Sequence, residues 1–439
     1  MARAKKEAAL TPEERLQAAL VPDWEWPYKL PENWCWLKLV ESFDNHTDSK
    51  KKIKQKDYLV KGKLAVVDQG QELIGGYTND VEKSYSGALP IAIFGDHTRC
   101  IKFVDFPFAQ GADGVKVLRP KPFYLPKAFY YALQSVNIPN LGYRRHFPLF
   151  NKFSIPLPPF AEQQRIVDRI ESLFAKLDEA KEKAQAVVDS FETRKAAILH
   201  KAFTGELTAK WREEHGVRME SWERCALSDV CTVNPKKADT KDLPDELEVS
   251  FFPMPALSEI YGEITNPQTR LLKEVRSGFT NFSEGDVVFA KITPCMENGK
   301  SAVVGKLVND IGYGTTEFFV LRCSDRLYNR FLYHLVRDKL FRDKAKAVMA
   351  GAVGQQRVPK RYLETYKLNL PKFNEQREIV RILDGSFAKE QQTKETAEAV
   401  LDQIDLMKKS ILARAFRGEL GTNDPSEESA VELLKQTIL

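Results

Sequence analysis

The stretch Leu157-Pro158-Pro159-Phe160-Ala161-Glu162-Gln163-Gln164-Arg165-Ile166-Val167 returns as Leu370-Pro371-Lys372-Phe373-Asn374-Glu375-Gln376-Arg377-Glu378-Ile379-Val380, 213 positions further on. The same offset pairs Phe174-Ala175-Lys176 with Phe387-Ala388-Lys389 and Ile198-Leu199 with Ile411-Leu412. It also pairs Ala202-Phe203 with Ala415-Phe416 and Gly205-Glu206-Leu207 with Gly418-Glu419-Leu420. No gap breaks the register, so one structural element is used twice. A longer, dissimilar block precedes each copy, giving the order variable–constant–variable–constant.

Both constant segments read as long helices. From Ile166, the residues Ile170, Leu173, Leu177, Ala180, Ala184, Val187, Phe191 and Ile198 follow steps of four and three, with Arg194 the one charged member. Such a heptad seam predicts a coiled coil. The second copy offers Ile379, Leu383, Val400, Ile404, Met407 and Ile411 in the same register. Ser386, Glu390 and Thr393 interrupt it, and Phe387 and Leu401 fill part of the stripe. Each helix should run roughly 35 residues, about 50 Å at 1.5 Å per residue. Gly205 and Gly418 are placed to stop them. A helix with an apolar seam needs a partner, and the two copies are the nearest candidates. Parallel pairing would put the variable blocks side by side. Antiparallel pairing would create a pseudo-twofold axis, a symmetry that duplex DNA shares.

The bulk numbers are those of a globular chain with two or more domains: 439 residues, 43% hydrophobic and 29% charged. No run approaches the roughly 18 apolar residues that a spanning helix needs. Met1 to Leu20 lacks an apolar core and a cleavage signal, so no secretion leader is read. Cys35, Cys100, Cys225, Cys231, Cys295 and Cys323 form no C-x-x-C pair, which predicts reduced thiols in a cytoplasmic setting. The net charge of +5 is uneven: +6 over residues 1–154, +1 over 211–366 and −3 over 422–439, with the remaining +1 in the two helical segments. A polyanion partner is allowed by this balance rather than demanded.

Residues 1–33 read as an N-terminal helix and linker: Thr11-Pro12-Glu13-Glu14 has the form of a capping box, and Pro22 to Pro31 is an extended stretch bearing Trp24 and Trp26. The first variable block, 34–154, offers strands at Leu64–Val67, Leu89–Phe94, Ile101–Val104 and Val115–Leu118, with a helix over Phe129 to Val136. A central helical segment occupies 155–210. The second variable block, 211–366, repeats the Trp34 to Leu39 spacing at Trp222 to Leu227. Its strands are expected at Asp286–Ile292, Ala302–Val304 and Glu317–Arg322, with one helix from Tyr328 to Lys346. A C-terminal helical segment (367–421) and an acidic tail (422–439) complete the chain.

Taken together, these motifs resemble the specificity subunit of a type I restriction–modification system, over essentially the whole length. The resemblance rests on the duplicated Leu-Pro-x-Phe-x-Glu-Gln, the paired Ala-Phe-x-Gly-Glu-Leu helix ends, Gly285 to Cys295 with Glu297-Asn298-Gly299-Lys300, and Gly354-Gln355-Gln356-Arg357-Val358-Pro359. It implies an α+β fold with two target-recognition domains of short twisted β-sheets, separated by two long antiparallel helices forming a coiled coil. Each domain would read one half of a bipartite double-stranded DNA target, with helix length setting the unread gap. The resemblance further implies two modification subunits that carry S-adenosylmethionine and methylate adenine, and restriction subunits that use ATP and Mg. This chain would hold no cofactor or metal, make no catalytic contribution and meet no membrane. One departure stands out: Asn140-Leu141-Gly142-Tyr143-Arg144-Arg145-His146 occupies the place where the second block has its Gly-Gln-Gln loop.

Two look-alike motifs fail on chemistry. Leu157-Pro158-Pro159-Phe160 imitates the amino-methyltransferase motif, but Leu157 cannot hold a target amino group. Gly299-Lys300-Ser301 imitates a phosphate loop, but Pro294 stands where an amide is needed. Base reading needs Arg, Lys, Asn or Gln at base edges. The candidates are Lys291, Thr293, Asn298, Lys300, Gln355, Gln356 and Arg357 in the second block, and Gln69, Arg99, Tyr143, Arg144 and Arg145 in the first. Gln71 is a further candidate of the same kind as Gln69 and Arg99. Lys50-Lys51-Lys52-x-Lys54-x-Lys56 is a flexible basic run suited to phosphate or to solvent. Two rival functions are a fused methyltransferase–specificity enzyme, disfavoured by the missing cofactor loop, and a coiled-coil adaptor that binds only protein.

Overall fold

A computed structural model describes residues 11–259, 262–352 and 354–438, with Ile438 described by its backbone alone; Met1 to Leu10, part of the expected N-terminal segment, lies outside them. The chain forms two compact units, Met1–Ala184 with Ala399–Leu439, and Gln185–Glu398. Each unit therefore joins one variable block to parts of both constant segments.

The block in the first unit opens with the strand Cys35–Lys38, antiparallel to Ser154–Leu157. Between them lies a four-stranded sheet in the order Phe43–Asn45, Val115–Pro120, Ile91–Gly95, Ile101–Val104. Ile91–Gly95 is buried along its whole length, as its unbroken apolar run requires. A three-stranded sheet runs Gly76–Thr78, Leu64–Val67, Phe108–Gln110, the last two parallel.

The second unit repeats this plan. Glu223–Ala226 pairs with Lys367–Leu370. One sheet runs Cys231–Val233, Phe318–Cys323, Val287–Ala290, Ser301–Val303. The other runs Gln268–Leu271, Glu248–Phe252, Gly312–Gly314, Thr280–Phe282, again with one parallel pair. The two blocks thus share most of a topology with little shared sequence, the second adding the edge strand Thr280–Phe282, because pairing follows the apolar pattern while the loops are free to differ.

The duplicated segments explain themselves at their starts. Gln163 and Gln376 are fully buried. Gln163 Oε1 accepts the Leu125 amide at 2.7 Å, and its Nε2 donates to the carbonyls of Phe123 (2.8 Å) and Pro158 (3.1 Å). Gln376 Oε1 accepts the Tyr328 amide at 2.7 Å, and its Nε2 donates to Arg326 and Pro371, both at 2.9 Å. One side chain in each copy therefore satisfies the backbone at the start of the block's helix, Pro126–Ser135 or Asn329–Arg337. Unsatisfied buried groups there would cost about 1–3 kcal/mol each.

The neighbouring glutamates tie each copy to the trailing end of the other. In the first unit, buried Glu162 accepts from Thr422 Oγ1 (2.6 Å) and from Arg165 (2.8 Å), which also grips Glu427 at 2.7 Å. In the second, Glu375 accepts from Thr208 Oγ1 (2.8 Å), Arg212 (2.7 Å) and Trp222 Nε1 (3.0 Å). The helices run antiparallel within each unit. Asp178 meets Lys408 and Lys181 meets Asp405 in the first unit; Phe191 meets Lys394 and Arg194 meets Glu390 in the second. Lys408 lies over Phe174 and Lys195 over Phe387, so the repeat-related pairs exchange partners. Gly205 and Gly418 end their helices with φ of +85° and +75°, as expected. A Cβ on Gly418 would sit 2.4 Å from Pro31 Cγ.

Several expectations need correction. The first long helix is Phe160–Asp189, followed after Ser190 by Phe191–Phe203; Ser190 Oγ and Arg194 Nη1 both bond the Val187 carbonyl and divert it from the helical ladder. The second, Phe373–Ala415, has 43 residues rather than roughly 35, about 65 Å at the helical rise. Its seam keeps Ile404 but departs from expectation at alternate positions, with Leu401 in place of Val400. Val400 is 38% and Met407 43% exposed, while Ala397 and Ile404 are buried and Leu401 takes the inner side. In the first helix Ala180 is exposed, and Leu173, Leu177, Val187 and Ile198 are half-buried, with Ile166, Ile170, Phe191 and Leu199 buried. The two charged interruptions, Arg194 and Glu390, meet each other at 2.7 Å. Tyr328 to Lys346 is two helices, Asn329–Arg337 and Lys339–Ala347, broken at Asp338, whose ψ of 135° is extended. A short 3-10 turn, Asp23–Glu25, interrupts the expected extended linker. The acidic tail, which carries no expected element, is helical over Ala430–Ile438, with Ala430 and Leu434 in the first unit's core.

Candidate nucleic-acid interface

In the first unit the loop Asn140 to His146 projects from a buried anchor. Asp96 and His146 are both buried; Asp96 Oδ1 accepts the amides of His146 (2.9 Å) and Phe147 (2.8 Å). His146 Nδ1 faces the Asp96 carbonyl at 2.8 Å, and Nε2 accepts the Leu141 amide at 3.1 Å, which fixes the ring's tautomer. Gly142 turns the loop with φ +68°, and its amide donates to Asn140 Oδ1 at 3.0 Å. The tip is Tyr143, 88% exposed, with exposed Arg144 and Arg145 beside it. His97 stacks on the Tyr143 ring at 5.0 Å and 18°, so the aromatic is held rather than loose.

A basic cluster lies beside this tip. Burial, and then the charges of Lys116 and Arg145, hold the Lys52 ammonium below its ordinary pKa, with Asp113 opposing. Lys116 lies over the Phe147 ring at 5.0 Å. Lys116 and Arg145, from separate segments, thus act on Lys52 together with the carboxylates of Asp113 and Asp96. The basic run is also pinned rather than flexible: Ile53 is buried, its amide donates to Gln110 O at 2.8 Å, and its carbonyl accepts the Ala112 amide at 2.7 Å. Two of the sequence candidates serve the loop framework. Gln69 Oε1 accepts the His97 amide at 3.1 Å, and Arg99, at φ +62°, donates to Ile138 O at 3.0 Å.

In the second unit the candidates fall into two groups. Lys291, Thr293, Gln355, Gln356 and Arg357 converge: the Thr293 amide donates to Gln356 O at 3.0 Å, the Gln356 amide to Thr293 Oγ1 at 3.1 Å, and the Val358 amide to Lys291 O at 2.9 Å. Gln355 is exposed and Lys291 half-buried over the Phe319 ring. Arg357 is gripped by both oxygens of Glu317, at 2.9 and 2.8 Å. That bond holds the Glu317 carboxyl below the usual carboxylate range. The other group is Asn298, which donates to Glu259 at 3.1 Å, and Lys300, whose side chain is 14% exposed and 3.6 Å from the same carboxylate. Lys300 is thus withdrawn from the surface in this arrangement. Sequence reasoning missed the counterions Glu317 and Glu259 and the supports His97 and Asp96, because no spacing announces a partner contributed from another segment.

Two α+β blocks of similar topology, differing by one edge strand and with unlike exposed loops, each closed by a duplicated helical segment, define a protein with an internal repeat. The chain belongs to the family described as type I restriction modification DNA specificity domain, which matches residues 31–188 and 219–401. It is 32% identical over 263 residues to the type I restriction enzyme EcoEI specificity subunit of Escherichia coli, covering 49% of this chain and 43% of that protein. The EcoAI specificity subunit of Escherichia coli is 31% identical over 259 residues, covering 49% and 44%. The chain thus spans less than half the length of these two relatives. The HsdS subunit from Thermoanaerobacter tengcongensis shares the fold, with a TM-score of 0.55 at 19% identity over 90% of this chain and 100% of that one.

Proposed function

We propose that this chain is the non-catalytic DNA-specificity subunit of a type I restriction–modification system, recognising a bipartite duplex target. One observation carries this reading: two heads with the same four-stranded sheet order, and second sheets that differ by the added strand Thr280–Phe282, expose different polar loops, Tyr143-Arg144-Arg145 in one and Lys291, Thr293 and Gln355 to Arg357 in the other. A shared scaffold with exchanged surfaces is what two unlike half-sites require, since sequence is read by side chains at base edges and the exposed candidates here lie on loops. Heads corresponding to residues 34–154 and 211–366, on helical segments 155–210 and 367–421, are the natural units of exchange.

Tyr143, Arg144 and Arg145 would meet bases, with Lys52 and Lys116 on phosphates. In the second head Gln355, Gln356 and Thr293 would read edges, and Arg357 would act once Glu317 releases it. Adenine methylation, with S-adenosylmethionine, and ATP- and Mg-dependent restriction would belong to partner subunits, two of the former. The outward apolar residues Val400, Leu406 and Met407, 38%, 64% and 43% exposed, offer a docking stripe for a modification subunit. Mapping methylated adenines in the host genome with and without this gene tests the reading: a bipartite motif that disappears with the gene supports it. Persistence of every methylated motif would leave the protein-only adaptor. Among the described residues no helix is long and apolar enough to cross a membrane.

A further inference from the structure

Cys231 and Cys323 stand directly opposite each other on neighbouring antiparallel strands of the second head. Their pair is of the close kind. The Ser324 amide donates to Val230 O at 2.9 Å and the Asn234 amide to Val320 O at 2.7 Å. Hydrogen-bonded and non-hydrogen-bonded pairs alternate along such a ladder, so the pair between those two, Thr232–Arg322, is hydrogen-bonded and Cys231–Cys323 is not. Non-hydrogen-bonded partners have Cα atoms about 4.5 Å apart, within the span that a disulfide bridges. Both side chains project to the same face, where Cys231 joins the core cluster and Cys323 packs against it. Both are free thiols, and Cys323 is the more accessible of the two.

We propose that Cys231 and Cys323 are a latent disulfide site that cross-links the edge strand Cys231–Val233 to its neighbour under oxidising conditions. A low-molecular-weight disulfide such as glutathione disulfide supplies the oxidation. The Cys323 thiolate attacks one of its sulfurs, forming a mixed disulfide and releasing the first glutathione thiolate. The Cys231 thiolate then displaces the second, so the protein's S–S bond forms as the oxidant's breaks, and the two glutathione thiols carry off two electrons and two protons. Burial raises both thiols above their ordinary pKa, Cys231 to about 12, which makes the exchange slow. The site therefore responds to sustained oxidation and not to a brief pulse. The closed loop from Cys231 to Cys323 contains both four-stranded sheets of the second head, and cross-linking it constrains the unfolded chain.

The test incubates the full chain with glutathione disulfide, then maps peptides by mass spectrometry without reduction. The expected result is a Cys231–Cys323 linked peptide, lower by two hydrogens than the sum of its parts, and a melting temperature of the second head that rises and returns on reduction. Cys231→Ser should abolish both, leaving Cys323 as a glutathione adduct. Absence of the linked peptide after prolonged incubation, or its formation only in denaturant, would overturn the proposal. DNA recognition is not assumed, so the outcome is independent of the functional reading above.

Discussion

Replacing Glu375 with alanine should unfold the second unit's helix junction and leave its counterpart in the first unit intact. Glu375 and Arg212 have side chains only 1% and 9% exposed, with 2.7 Å between them. Removing one partner of a buried pair strands the other charge, at about 3–5 kcal/mol. The Trp222 Nε1 donor loses its acceptor as well, worth about 1–3 kcal/mol if left unpaired. The two losses share one site and are not fully additive, so about 4–6 kcal/mol is expected. Whole domains have only about 5–15 kcal/mol, so the second unit would be marginal. Glu162→Ala should cost less, about 1–2 kcal/mol, because Arg165 is 38% exposed and keeps Glu427. Hydrogen exchange with peptide-level readout would assign each loss: Glu375→Ala should deprotect residues near 205–225 and 367–385, and Glu162→Ala residues near 418–430. Exchanging Glu375 and Arg212 together for Leu and Met should recover much of the stability. Losses below about 1 kcal/mol for Glu375→Ala, or deprotection in the first unit instead, would refute the reasoning.

Further expectations concern DNA and pH. Lys52→Ala and Lys116→Ala should weaken binding to all sequences alike, each lowering the slope of log K against log salt by about 0.9, as measured by titration across salt concentrations. Arg144→Ala should instead cost about 1–3 kcal/mol on the preferred half-site and relax one position, as read by selection from a randomised duplex library. Glu317→Gln should free Arg357 and raise affinity for all duplexes at low salt; unchanged affinity would show that Arg357 does not face DNA. Burial lowers the pKa of His334, with its bond to Asp384 opposing. Its stabilising effect is therefore full above the unfolded value near 6.5 and is lost as pH falls through the lower folded value. The second unit's melting temperature should drop as pH falls below about 6.5 in the native chain and less steeply in His334→Gln.

The frame was readable because it is written twice: the buried glutamines and glutamates, the stopping glycines and the long helices all lie on repeated residues. Strand positions followed from apolar runs such as Ile91 to Phe94. The break at Asp338 was invisible, because the spacing of four from Leu332 to Val336 to Leu340 continues across it. The seam shift from Val400 to Leu401 was hidden for a related reason, since adjacent aliphatics fit either face and only packing chooses. The binding loops were the least legible. Arg357 and Lys300 look free in the sequence, and their carboxylate partners Glu317 and Glu259 come from segments 40 residues or so away.

The first compact unit takes its closing residues from the far end of the chain: Trp34 donates to Asn423, Tyr28 to the Phe416 carbonyl, and Arg165 grips Glu427. The second unit is contiguous, from Gln185 to Glu398. During synthesis at about 5–20 residues per second, residues up to 184 would wait about 10–50 s for the final forty to be made. The part translated first is thus completed last, and a ribosome that stalls beyond codon 398 would leave a finished second head attached to an open first one.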